Sequence, residues 1–161
     1  MGKVGTKRSD HRWRAPDGTV WDSKFEWRVY DDLRRAGIAV RKCSERDSIS
    51  YSTKVRSGRC VACGGGTVVQ DRSYTPDLHV WQGPGDGDGI WLEVKGHMQP
   101  SRRSQLREVV KQNPELDLRF ILYSANTKAT KKLRLWEYIE KYLKRPVIVW
   151  QGEFPNEWQQ G

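Results

Sequence analysis

The chain has 161 residues, 36% of them apolar and 30% charged, and its 29 basic and 20 acidic side chains leave a formal net charge of +9. That length suits one domain with a core of its own, and no run of ~18 apolar residues is present to span a membrane. The basic surplus points to a polyanionic partner, because phosphates neutralised by Lys and Arg release their counterions.

Residues 1–18 carry Lys3, Lys7, Arg8, Arg12 and Arg14 among Gly and Pro, and read as a mobile basic arm. They lack the apolar stretch of a secretory signal. Residues 19–161 read as a single domain. Phe25, Val29, Leu33 and Ala36 recur at helical spacing, which predicts a first helix over Ser23–Ala36 with Gly37 as its stop. Ile38–Val40 starts a strand, and Ser48–Val55 alternates like an edge strand. Cys60-Val-Ala-Cys63-Gly is a tight turn inside an insert at about 52–73, and Val68–Tyr74 returns from it. Leu78–Trp81 and Ile90–Val94 are short strands joined by the Gly-rich connection 83–89. Asp86 and Asp88 in that connection lack the rest of a calcium-loop pattern. A second helix over Ser101–Gln112 turns Leu106, Val109 and Val110 inward, and Leu118–Tyr123 is an apolar strand. A third helix over about Ala129–Leu143 buries Leu135, Trp136, Ile139 and Leu143, and Val147–Trp150 is a last short strand. This order predicts an α/β fold, with a mixed central sheet flanked by helices.

Alternate residues of a strand share a face. Asp77, His79 and Trp81 therefore stand together, as do Trp91, Glu93 and Lys95, while Leu78, Val80, Ile90, Leu92 and Val94 pack inward. Setting Asp77 beside Lys95 places it diagonal to Glu93, so two carboxylates converge where one hard cation would fit. The backbone carbonyl of Val94 points to the same place. Lys95 would orient or deprotonate the attacking water and offset charge in a phosphoryl transition state. An ordinary surface Glu–Lys pair is the plain alternative.

Pro76-Asp77 followed by Glu93-Val-Lys95 resembles the signature of the PD-(D/E)xK nuclease superfamily. Tyr74-Thr-Pro-Asp77, Leu92-Glu-Val-Lys-Gly96, Asn113-Pro-Glu-Leu-Asp-Leu-Arg119 and Pro155-Asn-Glu-Trp158 resemble, more narrowly, the phage endonuclease I family of Holliday-junction resolvases. The resemblance runs from about Ser23 to Trp158. It implies a Mg2+- or Mn2+-dependent enzyme that cuts branched DNA, four-way junctions above all, as an intertwined homodimer with two sites. It also implies a further acidic residue on the first helix, matched by Glu26, with that helix acting in the partner subunit's site. Ser23-Lys-Phe-Glu26 is equally a capping box, in which Glu26 would serve the helix start alone.

Other candidates remain open on their residues. Arg102 and Arg103 at the start of the second helix, and Lys128 and Lys131 further on, would contact DNA phosphates or form a solvated basic surface. His79 is expected to be a bystander, and His97 follows the Lys95-Gly96 turn. Trp81 and Trp91 would stack on unpaired bases or pack in the core. Cys60 and Cys63 resemble half of a zinc knuckle, with Cys43 as a third thiolate, or two such turns meeting across a dimer; free thiols are the alternative. An odd cysteine count argues against a disulfide framework and for a reducing cytoplasm, that of the host for a phage-encoded protein. The rival functions are a related nuclease acting in nicking, repair or homing, and a non-catalytic zinc-knuckle protein that binds nucleic acid.

Overall fold

The computed structural model describes residues 12–56, 66–81 and 89–159. A hairpin of β1 (Trp13–Arg14) and β2 (Val20–Trp21) leads into helix α1 (Lys24–Arg35). Ser23 is extended, and its hydroxyl accepts the Glu26 N–H at 3.1 Å, which starts the helix where the sequence places its cap. Gly37, at φ 75°, supplies the left-handed turn that ends it. Strand β3 (Ala39–Lys42), a ribbon of β4 (Ile49–Arg56) and β5 (Thr67–Tyr74), β6 (Leu78–Trp81) and β7 (Gly89–Lys95) follow. Helix α2 (Pro100–Gln112), β8 (Leu118–Leu122), helix α3 (Leu135–Tyr138) running on as a π-turn over Ile139–Leu143, and β9 (Val147–Val149) complete the order.

The central sheet runs β3-β6-β7-β8-β9, antiparallel from β3 to β7 and parallel from β7 to β9. Strand alternation divides its apolar side chains between two cores. Leu78, Val80, Leu92, Val94 and Ile121 pack with Val29 and Leu33 of α1. Leu118, Phe120 and Leu122 pack on the other face with Leu106 and Val109 of α2 and with Leu135 and Ile139. The β4–β5 ribbon stands apart from the sheet, rooted in the second core by Tyr51 and Tyr74. No helix among the described residues is long and apolar enough to cross a membrane.

Three local expectations are corrected. The part of the basic arm within the described residues is an ordered hairpin: Trp13 pairs with Trp21, and Ala15 is buried. Two well-placed Trp side chains outweigh the Gly and Pro that signalled mobility. The third helix begins at Leu135 instead of Ala129, because the Ser124 and Thr130 hydroxyls accept nearby backbone N–H groups and hold the preceding segment in turns. Within the helix Trp136 is exposed, where the apolar spacing predicts it buried, and Tyr138 is buried instead. Finally, the β6–β7 ladder pairs Leu78 with Leu92, so one step further Asp77 stands across from Glu93 instead of beside Lys95. The shared faces survive, since the offset is two residues and the side-chain period is two.

Between β3 and the ribbon, Arg41 makes a two-pronged pair with Asp47, both bonds 2.8 Å, and Asp47 also accepts the Ser44 N–H. The Arg41 bonds, aided by Ser44 and opposed by burial, hold the Asp47 carboxyl down at about 2. A carboxyl lowered on folding contributes stability above its unfolded value that is lost as pH falls through its folded one. Asp47→Asn should therefore cost roughly 2 kcal/mol at pH 7, with the gap to the native chain closing between pH 4 and pH 2. Urea midpoints across that range check it, and a gap independent of pH would assign the loss to packing.

Candidate active site

Leu92 and Val94 face α1, which obliges Glu93 and Lys95 to face the α2 side. Glu93 ends up fully buried there. The Tyr74 hydroxyl donates to its Oε2 at 2.6 Å, and Arg102 donates to Oε1 through Nε at 3.0 Å and Nη2 at 2.9 Å. Lys95 Nζ lies 3.3 Å from the same Oε1. Burial alone would raise the Glu93 carboxyl, but the charges of Lys95 and Arg102, with the Tyr74 bond, outweigh it and hold the group below the usual range.

Asp77 is fixed through its backbone from both sides, its carbonyl accepting Cys43 N–H and its N–H donating to Leu92 O, each at 3.0 Å. Its Oδ2 accepts the Val94 N–H at 2.7 Å and the Lys95 ammonium at 2.8 Å. Burial, then the charge on Glu93, pushes the Asp77 carboxyl up to about 6 against the pull of Lys95. For Lys95 burial works the other way, yet Glu93 and Asp77 prevail and raise its pKa above the ordinary lysine value. Lys95 is thus placed to hold and neutralise an anion.

Glu26 reaches the same place from α1. With Asp77, Lys95, Tyr74 and Arg102 it lines a cavity of about 470 Å³. Because α1 covers one face of the sheet and α2 the other, this cavity lies where the two layers meet at the end of β7. Burial, then the Asp77 charge, pushes the Glu26 carboxyl up to about 7, with Lys95 and a Ser23 hydrogen bond pulling it down. The Ser23 hydroxyl caps the helix through the Glu26 backbone N–H, while the Glu26 carboxyl lines the cavity together with residues of the same chain.

This donor set suits a hard divalent cation. Two carboxylates that raise each other's proton affinity by repulsion are relieved when a cation replaces the protons. A residue's N–H and C=O in a strand face the same neighbour, so the Val94 carbonyl is turned toward the Asp77 side along with its N–H. Glu93 is differently placed, since both of its oxygens are engaged by Tyr74, Arg102 and Lys95. Among the described residues no three His, Cys, Asp or Glu side chains form a ready-made ligand group. The cation that fits best is therefore one that keeps several waters, as magnesium does.

The remaining candidates separate. Arg102 faces the cavity, whereas Arg103 turns back to the Met98 carbonyl at 2.9 Å and over the Tyr138 ring. Lys128 and Lys131 are exposed in the turns before α3 and do not line the cavity. His79 is buried, stacked 4.1 Å from the Trp91 ring and 5.6 Å from Trp81, away from the cavity. His97 is exposed. Cys43 is buried at the cavity wall, where burial and then the Asp47 charge push its thiol up to about 12. Cys60 and Cys63 lie outside the described residues, as does the connection carrying Asp86 and Asp88. Two functional contacts carry no signal of their own in the sequence: the Tyr74 hydroxyl on Glu93, and Arg102 aimed at Glu93. The only hint is that Tyr74 ends the strand that precedes Pro76-Asp77.

The chain matches no protein-family model and no curated protein.

The raised Glu26 carboxyl makes a prediction about the metal-free protein. A carboxyl raised on folding contributes stability below its unfolded value, and that contribution is lost as pH rises through about 7. In chelator, Glu26→Gln should match the native chain at pH 4 and exceed it by roughly 3 kcal/mol at pH 8. Denaturant unfolding at the two pH values tests this; equal stability at pH 8 would mean that the carboxyl is solvated and of ordinary acidity.

Proposed function

We propose that the protein is a metal-dependent DNA endonuclease that hydrolyses phosphodiesters in branched DNA, four-way junctions in particular, and acts as a homodimer whose two sites make paired cuts. One observation carries this reading: carboxylates from α1 and from the β6–β7 edge meet the Lys95 ammonium in one cavity at the junction of the two layers. The chain's net charge of +9 supplies the long-range attraction for DNA. The segments that resemble the phage endonuclease I family include Asp77, Glu93 and Lys95, and they support junctions as the substrate.

Asp77 and Glu26, with the Val94 carbonyl, would hold Mg2+ or Mn2+, and Glu93 would join them once released from its partners. The metal supplies Lewis acidity and a nucleophile at neutral pH. The protein supplies position and field. Asp77 is held by two hydrogen bonds to Oδ2, from the Val94 N–H and Lys95, which orient its carboxylate toward the cavity. Lys95 places a full positive charge where negative charge grows as the phosphorus–oxygen bond breaks. Arg102, on the opposite wall, offers a planar fork suited to a neighbouring phosphate.

Cleavage of a labelled four-way junction beside a linear duplex of the same sequence tests the reading. With magnesium, paired cuts near the branch are expected, absent in chelator. Lys95→Met and Asp77→Asn should lower cutting by about a hundredfold or more while junction binding in a gel-shift assay persists. Equal cutting of both substrates would keep the nuclease and remove the junction. No cutting alongside tight binding would favour a DNA-binding protein without catalysis.

A further inference from the structure

Glu93 presents a conflict: the family resemblance gives it the position of a metal ligand, yet both of its oxygens already accept hydrogen bonds from the protein. A second cavity suggests how it is freed. Between the β4–β5 ribbon and α2 lies a groove of about 890 Å³, to which Lys54, Arg72, Arg102 and Lys111 bring positive charge against the single carboxylate of Glu108. Its walls are tied together: the Gln112 side chain accepts the Ser52 N–H at 2.8 Å and donates to the Ser52 carbonyl at 2.9 Å, and Asn113 donates to the Ser50 carbonyl at 3.2 Å. Arg102 lines this groove and the candidate active site alike. Its guanidinium rests on the Tyr74 ring, 4.7 Å from the centroid, with two bonds to Glu93 and one to Gln105 at 2.8 Å.

We infer that the groove takes a DNA sugar–phosphate backbone, and that Arg102 is a positioning residue which exchanges Glu93 for a backbone phosphate and thereby releases Glu93 to the metal. The inference rests on the nuclease reading and deepens it. The guanidinium fork pairs as well with phosphate as with carboxylate, so the exchange replaces one charge-assisted pair with another. Lys54, Arg72 and Lys111 bring the phosphates to the groove. Glu93 then loses one of its two counter-charges while buried, and a divalent cation beside Asp77 becomes the replacement. Metal and DNA binding must on this account strengthen each other by the same factor, because coupling between two sites is reciprocal. The site is thereby completed only when DNA is in place.

Mn2+ binding by the intact protein, followed by electron paramagnetic resonance, tests the exchange without relying on turnover. A junction with a phosphorothioate backbone serves as an uncut ligand, and Mn2+ bound by the junction alone is subtracted. The native chain should bind Mn2+ about tenfold more tightly with the junction than without it. Arg102→Gln should bind Mn2+ more tightly than the native chain in the absence of DNA, and gain little from adding it. Glu93→Gln should lose the DNA-dependent gain. Should thermal unfolding show that Arg102→Gln is not folded, Arg102→Lys keeps the charge but cannot make both bonds to Glu93, and should move in the same direction. Equal Mn2+ affinity in the native chain and the Arg102 variants, with no effect of DNA, would overturn the exchange and leave the nuclease reading intact. No Mn2+ binding in any form, with or without DNA, would remove the metal-dependent reading itself.

Discussion

A carboxylate without solvent exposure in the middle strand of a sheet is tolerable only if its charge is matched and its lone pairs are filled. Moving such an ion out of water costs several kcal/mol even after relaxation. Glu93 meets the requirement with partners from three different elements: Lys95 two residues along β7, Tyr74 at the end of the ribbon, and Arg102 in the first turn of α2. Satisfying this one side chain therefore fixes where the ribbon is rooted and where α2 begins. The cavity around Asp77 and the groove beside α2 are both consequences of that arrangement, with Arg102 as their common wall.

The same demand divides three neighbouring acids into two kinds. Glu93 takes most of the available positive charge and is held below the usual carboxylate range, while Asp77 and Glu26, nearer the cavity, are raised. Glu93 is in effect a structural anion in the free protein. Asp77 and Glu26 are a stored cost, tolerated because the surrounding cores of α1 and α2 are well filled. Carboxylates raised in proton affinity by burial and mutual repulsion are raised by the same causes in affinity for a cation.

Much of this organisation is legible in the sequence because it depends on short periods. Ser23 caps α1, and the alternation in β6 and β7 separates the apolar set Leu78, Val80, Leu92 and Val94 from Glu93 and Lys95. That Asp77 shares a face with Glu93 and Lys95 follows from that alternation alone. The ladder register does not, since shifts of two residues preserve every face and the Gly-rich connection gives no fixed turn length to choose between them. Arg102 on Glu93 is invisible for a different reason. It depends on the tilt at which α2 docks on the sheet, which is set by Leu106, Val109 and Phe120 meeting across the second core. The later start of α3 follows from hydroxyls that favour turns over helix, a local competition that apolar spacing cannot report.

The Glu-x-Lys spacing thus has a structural reason beside its chemical one. Only a residue at two positions' distance shares a strand face with Glu93 and lies close enough to neutralise it along one chain, and the 3.3 Å approach of Lys95 to Oε1 uses that geometry. The ammonium simultaneously holds Asp77 at 2.8 Å, so a single cation serves the buried anion and the cavity acid together. Arg in its place would bring a broader fork that competes with Arg102 for the same oxygen. A neutral residue would leave Glu93 dependent on Arg102 alone, and would bind that guanidinium to its post. Lys95 is in this sense what permits Arg102 to leave: Glu93 keeps one counter-charge during any exchange, which is the condition for a buried carboxylate to change partners without first becoming bare.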